Sequence, residues 1–475
     1  MHSDVFIPDC FLQHIEKQLP SSLSLTELIN SCQSSLRRSL RVNTLKISVP
    51  AFLAIAEKKG WQLSAIPWCD TGFWIAEQKV NSQALGNSAE HLAGLFYIQE
   101  ASSMLPVSAL LSSLSKQDIL VLDMAAAPGS KTTQIAAALQ YQGLVVANEY
   151  SASRVKILHA NQVRTGATHC ALTHYDARIF GSWLPETFDA ILLDAPCSGE
   201  GTIRKDAKAF SNWSLDAINA ISDTQKALIV SAFQALKVNG TMVYSTCTLS
   251  QEENQQVLHY LKAQFPNAVE FESLVDLFPE AKQALTKEGF LHVFPQIYDT
   301  EGFFVAKIRK KTSVPVTLAD KKPRKFPFAP LNKKDTELTQ SALMQSFGLT
   351  ISNSLRLWSR DQEIWLFPED VIPLIERIKF DRIGLKLAQR HKNGFKWQHE
   401  AVVALCQKQQ PIKIELSTEE AVRWYKGQDI RPDCAAGKGE TTIYYQGYAI
   451  GIGKWIGNKI KNCLPREMVK DTVTF

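Results

Sequence analysis

Between Asp118 and Lys310 the chain repeats one pattern: a short apolar run, a loop of small or acidic residues, then an amphipathic stretch. "DILVLDM" reads as a strand and "GSKTTQIAAALQ" as a helix. "GLVVANEY" is strand-like, and "SASRVKILHANQVRTG" is a helix ended by Gly166. "HCALTHYDA" and "FDAILLDAPC" are again strand-like. "DAINAISDTQKALIVSAFQALKVNG" is a helix closed by Gly240, followed by the strand "TMVYSTC". A run as continuously apolar as "FDAILLDAPC" suits a strand covered on both faces. Strands alternating with helices in this way predict a doubly wound α/β domain, whose ligands lie at the carboxyl edge of the sheet.

The rest of the chain reads differently. Residues 1–117 mix signals: "SLTELINSCQSSL" has helical spacing behind a Ser cap, and "RSLRVNTLKI" alternates like a short strand. The α/β pattern ends near "GFFVAKIRKK". The stretch 307–325 holds eight Lys or Arg, one Asp and two Pro, which predicts a linker with a basic face. Residues 326–475 form a further region of two small modules. The expected organisation is 1–117, packed on the catalytic unit; 118–310, the α/β domain; 311–385, a basic linker with a small intermediate domain; and 386–475, a terminal module. With 475 residues, 45% of them hydrophobic and 21% charged, the chain is long and apolar enough for several cores and is not a disordered composition. The net charge of +5 is compatible with nucleic acid without requiring it. No apolar run has membrane-spanning length, and the start of the chain has no secretory pattern. Nine scattered cysteines, without CxxC or zinc spacing, predict reduced thiols, no metal and a cytoplasmic setting.

The loop "AAAPGSK" follows one strand and opens a helix. Ala125, Ala126 and Ala127 let the backbone approach a ligand, Pro128 sets the turn, and Gly129 is permissive just before the helix N-terminus at Ser130 and Lys131. It is neither GxGxxG nor a P-loop. Glu149 closes the next strand, where a carboxylate accepts ribose hydroxyls. Asp176 closes the third, within reach of an adenine amino group. An ordinary strand–turn–helix with surface acids is the alternative. Together the three loops point to an adenosine-containing ligand.

Two cysteines occupy similar places: Cys197 in "LLDAPCSGEGT" and Cys247 in "MVYSTCTLS". Each ends a strand, and neighbouring strands bring both to one edge, beside Asp194. Buried core thiols are the alternative, and the one that suits Cys10, Cys32, Cys170 and Cys406.

"DMAAAPGSKT", "DAPCSGEGT" and "YSTCTLSQEEN" resemble the motifs of the NOL/NOP/Sun family of S-adenosylmethionine-dependent RNA cytosine-C5 methyltransferases. "LRVNTLK" and "GLFYIQEASSMLP" are similar to the segments preceding that family's catalytic domain. Family members often carry Cys at Ala125 and a second Gly at Ser130. The resemblance implies a Rossmann-like class I methyltransferase fold that binds S-adenosylmethionine through residues 125–131, Glu149, Asp176 and Asp194. It also implies Cys247 as the nucleophile and Cys197 as the thiol that assists product release. Cytosine C5 is too weakly nucleophilic to take a methyl group unaided. Addition of a thiolate at C6 makes C5 an enamine carbon. Bringing a thiol from ~8.5 to ~7 takes about 2 kcal/mol of differential stabilisation, for which the sulfonium and Lys131 are candidate sources. Lys131 alternatively contacts the base, or is a solvated helix residue. The target base is extruded to reach the pocket.

The chain length, the C-terminal region and "LPREMV" resemble bacterial members that act on 16S rRNA in the decoding region, at position 1407. Assembled small subunits are the implied substrate and a monomer the implied state. The terminal stretch resembles a PUA-type RNA-binding module. "IKFDRIGLKLAQRHKNGFKW" carries six Lys or Arg with Phe395 and Trp397. That mixture suits phosphate contact with base stacking, or else a solvated basic helix. Other readings are an amino-group methyltransferase, which leaves Cys247 without a role, an enzyme for another rRNA or tRNA cytosine, and a non-catalytic ribosome-assembly protein.

Overall fold

The computed structural model describes residues 6–76, 82–114, 119–319, 326–392, 394–406, 412–434 and 436–475. Its centre is the doubly wound domain. The strands are β1 (Leu120–Asp123), β2 (Leu144–Asn148), β3 (Cys170–Thr173), β4 (Phe188–Asp194), β5 (Leu236–Thr246), β6 (Val269–Glu272) and β7 (Phe303–Lys310). The helices used below are α1 (Ser130–Leu139), α2 (Ala152–Thr165), α3 (Leu215–Ala235) and α4 (Gln255–Gln264). The order across the sheet is β6-β7-β5-β4-β1-β2-β3. β1 to β5 pair in parallel, and β7 lies antiparallel to β5. The order reverses between β1 and β4, so the loops after these strands open a crevice at the carboxyl edge.

The continuous apolar runs arise because alternate residues enter two different cores. Leu122, Val146, Ile191, Leu193, Met242 and Tyr244 pack with Ile229 and Phe233 of α3. Val121, Val145, Ala190, Leu192 and Val243 pack with Ile135 and Leu139 of α1 and with Leu105 and Leu110.

The N-terminal region has the expected helix, Leu25–Gln33, and the expected strand, Arg38–Val42. That strand sits inside a four-stranded sheet, between Cys69–Ile75 and Phe96–Ile98. Arg41 is buried and donates to Gln99 Oε1 at 2.8 Å and to Thr133 Oγ1 of α1 at 2.9 Å. It thereby joins the two regions.

Three sequence expectations differ from the structure. Gly240 does not close α3: the helix ends at Ala235 and Leu236 begins β5 directly. Asn239 adopts φ 64°, and the register against β4 shifts between Phe188 and Ala190, so the "VNG" signal marks an irregularity within the strand. The expected basic linker is partly core. Lys310 is buried and donates to the carbonyls of Phe233 and Leu236 at 3.1 and 2.8 Å. Lys307 and Arg309 both pair with Glu272. These charges belong to β7, and residues 320–325 of the linker lie outside the described residues. Finally, "LKLAQRHKNGFKW" is a hairpin, Leu385–His391 with Gly394–Trp397, which removes the alternative reading of it as a solvated basic helix.

That hairpin completes a five-stranded antiparallel sheet with Ala329–Pro330, Leu355–Arg360 and Glu363–Pro368. The sheet crosses the 385/386 division drawn from the sequence, because Leu385–His391 is hydrogen-bonded to Glu363–Pro368. Arg382 and Ile383 also add an antiparallel edge to β3. A last sheet, Lys413–Glu415, Glu440–Tyr445, Tyr448–Ile456 and Lys459–Asn462, packs on the N-terminal region, where Tyr448 Oη donates to Glu90 at 3.1 Å. Among the described residues no helix is long and apolar enough to cross a membrane.

Candidate active site

The loop after β1 is held from both sides. The amide of Ala126 donates to Asn148 O at 2.8 Å, and Asn161 Nδ2 donates to Pro128 O at 2.9 Å. The Ala127–Pro128 bond is cis. Gly129 has φ 106°, a conformation unfavourable for other residues, and a Cβ there would lie 3.0 Å from Leu158 Cδ1. Beneath the loop Asp123 accepts from Thr132 Oγ1 at 2.6 Å, and burial pushes this carboxyl up to about 7.

Glu149 is buried just beyond β2. It accepts from the amide of Ser151 at 2.8 Å and from that of Ala127 at 3.3 Å, with Arg154 at 3.5 Å. Its carboxylate is thus fixed against the loop that precedes α1. Asp176 lies three residues past β3 and caps a short 3-10 turn. Both its oxygens engage Arg178, which holds the carboxyl below its ordinary range. Asp176 therefore stands at the same edge but farther out and already paired.

At the ends of β4 and β5 the structure brings the remaining predicted residues together. Asp194 accepts from Lys131 Nζ at 2.8 Å and from Ser245 Oγ at 2.7 Å. Burial opposes the Lys131 charge, but Asp194 outweighs it with help from Cys247, and the ammonium is held above its ordinary value. Asp194 and Ser245 are register neighbours, so the segments that follow run side by side. The sulfurs of Cys197 and Cys247 consequently lie 3.2 Å apart. Contact with Cys247, followed by burial, raises the Cys197 thiol well above its ordinary value. The approach of the two loops needs Gly201: its amide donates to Cys247 O at 3.0 Å, and a Cβ there would lie 2.7 Å from that oxygen.

Cys32 and Cys170 are buried and Cys406 is half-buried, whereas Cys10 is exposed, so the buried-thiol reading does not hold for Cys10. Among the described residues no cluster of His, Cys, Asp or Glu could hold a metal. Sequence reasoning missed Ser245, Ser198, Glu200 and Glu253, which surround the thiols. All four were inside quoted motifs, but nothing in their spacing says that they face one another.

Four family models match in succession: the N-terminal domain of 16S rRNA methyltransferase RsmF over residues 7–101, 16S rRNA methyltransferase RsmB/F over 109–309, the pre-PUA domain of ribosomal RNA small subunit methyltransferase F over 328–405, and the methyltransferase RsmF PUA domain over 411–470. The ribosomal RNA small subunit methyltransferase F of Aliivibrio fischeri strain MJ11 is 56% identical over 476 residues, covering all of both chains. That of Vibrio campbellii is 55% identical over 480 residues, again covering all of both. The chain belongs to the ribosomal RNA small subunit methyltransferase F family. It is a 16S rRNA methyltransferase, with a Rossmann-like methyltransferase domain and a PUA domain. A solved methyltransferase homolog from Pyrococcus horikoshii is 32% identical, covering 64% of this chain and all of that one, with a TM-score of 0.53. The structure of NSun6 from Pyrococcus horikoshii with SFG covers 65% of this chain and all of that one, at 23% identity and a TM-score of 0.55, and shares the fold.

The RNA-binding expectation for residues 378–397 changes in one respect. Trp397 is buried in the pre-PUA core and stacks on Phe395 at 5.2 Å, so its ring is not free for a base. Lys386 and Arg390 are paired with Glu363 and Asp335. Lys379, Lys392 and Lys396 are exposed.

Proposed function

We propose that this family member methylates C5 of a cytosine in 16S rRNA, at position 1407 of the decoding region, through a covalent bond between Cys247 and cytosine C6. The observation that carries this reading is the 3.2 Å approach of Cys197 and Cys247 at the edge where Lys131 meets Asp194. An amino-group methyltransferase has no use for a second thiol there. S-adenosylmethionine fits the neighbouring loops. Small side chains from Ala125 to Ala127 precede the N-terminus of α1, and the buried Glu149 carboxylate retains acceptor capacity for ribose hydroxyls. Pro128, Gly129 and Ser130 complete this cradle, and Asp176 would take the adenine amino group. When bound, the group supplies a methyl on a cationic sulfonium.

Cys247 attacks C6 as the thiolate, the reactive form of cysteine. Lys131 supplies nearby positive charge. Asp194, oriented by Lys131 and Ser245, binds the cytosine edge and favours protonation at N3, which makes C6 more electrophilic. Once C5 carries the methyl group, a general base takes the C5 proton, the C5–C6 double bond re-forms, and the C6–sulfur bond breaks with its electron pair returning to Cys247, Cys197 assisting release. The substrate is the small subunit, recognised through the N-terminal and C-terminal modules, and the protein acts as a monomer in the cytoplasm. Bisulfite sequencing of 16S rRNA from a strain lacking the gene is expected to lose one 5-methylcytosine, restored by the wild-type chain and not by Cys247→Ala. An unchanged methylation pattern would remove the reading.

A further inference from the structure

Ser198 follows Cys197 and Thr248 follows Cys247. Both hydroxyls turn away from the sulfurs, toward two buried carboxyls, Glu200 and Glu253. Ser198 Oγ faces Oε2 of Glu200 and Oε1 of Glu253. A hydroxyl carries a single hydrogen. It can donate to one of these oxygens, so the other carboxyl must donate to it. The remaining contacts are balanced, two donors to the other oxygen of each carboxyl, so a single proton serves the pair. Glu253 Oε2 accepts from the amide of Ser198 at 3.0 Å and from Gln225 Nε2 at 2.9 Å. Glu200 Oε1 accepts from Thr248 Oγ1 and from Ser250 Oγ, the latter at 2.8 Å. All these donors are used once if Glu253 Oε1 carries a proton, gives it to Ser198 Oγ, and Ser198 gives its own to an ionised Glu200.

We propose that Glu253 as carboxylic acid and Glu200 as carboxylate form a one-proton pair that latches the two thiol loops together and keeps Cys197 in its thiol form. The role rests on the division of labour between the thiols proposed above. The pair is a positioning device: its negative charge opposes a second one on Cys197, leaving Cys247, nearer the charge of Lys131, as the nucleophile. Electrostatics selects Glu253 as the holder of that proton. Burial, followed by Glu200, pushes Glu253 up to about 7, against the hydrogen bonds from Ser198 and Gln225. The ionised Glu200 adds to the rise of the Cys197 thiol, and so does Glu253 once it has lost its proton. The other titratable groups facing the pair are Cys247, Tyr244, whose hydroxyl donates to Glu253 O at 2.6 Å, and His292 behind Leu249. Burial holds His292 down to about 4, so it is neutral here. The neighbouring Glu252 carboxylate points elsewhere, to His14 and Gln18.

The test uses the full-length protein without RNA. Alkylation of Cys197 by iodoacetamide is followed across pH by peptide mass spectrometry. Glu200→Gln removes the charge, and between pH 6 and 7 Cys197 should react about tenfold faster than in the wild type, as for a thiol lowered by one unit. Glu253→Gln has the shape and hydrogen-bonding pattern of the acid, so at pH 6, below the value to which Glu253 is raised, Cys197 should react at the wild-type rate. An unchanged rate in Glu200→Gln, or an equal rise in both variants at pH 6, overturns the assignment. Should Glu200→Gln not fold, infrared difference spectra of wild type and Glu253→Gln decide. The carbonyl stretch of one protonated carboxyl should disappear at neutral pH, and its persistence overturns the proposal. Because no RNA is used, these outcomes are independent of whether the covalent cytosine chemistry holds, which adduct mapping reads separately.

Discussion

Single residues carry the chemistry here through the partners that fix them. Glu149 and Asp176 illustrate two degrees of this. Glu149 is buried and aimed by two backbone amides, whereas Asp176 is half-buried and tied to Arg178. Both were legible as acids at strand ends, because the ends of "GLVVANEY" and "HCALTHYDA" are visible in the sequence. Their inequality was not legible, since it depends on contacts made after the chain folds back. Glu149→Ala should weaken S-adenosylmethionine binding by about 1–3 kcal/mol, the scale of a hydrogen bond to a charged acceptor. Asp176→Ala should cost less, because Arg178 already occupies its oxygens. Calorimetry with purified protein measures both, and equal affinity in all three proteins would contradict this placement of the ligand.

At the level of elements, the site depends on β4 and β5 ending in register. The alternation of strands and helices from 118 to 310 was enough to predict that both thiols reach one edge. It was not enough to find the end of α3, because a glycine reads alike as a helix stop and as a strand irregularity. Nor was it enough to place Lys310 or Trp397. A lysine buried against carbonyls and a tryptophan buried in a small sheet look, in sequence, like solvated and base-stacking residues. The two thiol loops meet closely at Gly201, where an added Cβ would meet Gly302 O at 2.5 Å and Cys247 O at 2.7 Å. Backbone oxygens cannot yield as a flexible side chain does. Gly201→Ala should therefore destabilise the protein by about 1–3 kcal/mol and disturb the Cys247 loop. Urea denaturation measures the first effect, and an unaltered midpoint would show that the loops have room to part.

Across the whole molecule the modules are not beads on a string. Phe367, Val371 and Ile378 of the pre-PUA region pack in the same core as Phe180 and Phe233, and the C-terminal sheet closes on the N-terminal region. Removing residues 326–475 would open the catalytic core, so truncation cannot isolate RNA recognition. Lys46 reports on this closure. It donates to Ala93 O and Arg164 O at 2.8 and 2.9 Å, and burial, aided by Arg164, lowers it to about 7. Between pH 7 and its ordinary 10.5 the unfolded chain binds the extra proton. Its contribution to stability therefore rises with pH over that window and is flat below it. The difference in unfolding free energy between wild type and Lys46→Met should grow in favour of the wild type from pH 7 to 10, by on the order of a few kcal/mol. A difference constant with pH would show Lys46 to be ordinary in the fold.

The account stands or falls on which sulfur bonds to RNA. Cys197→Ala, incubated with small subunits and S-adenosylmethionine, should accumulate a covalent protein–RNA species, and nuclease and protease digestion should place the nucleotide on Cys247. Cys247→Ala should form none. A nucleotide mapped to Cys197 in the Cys247→Ala protein would reverse the assignment and contradict the account at its centre.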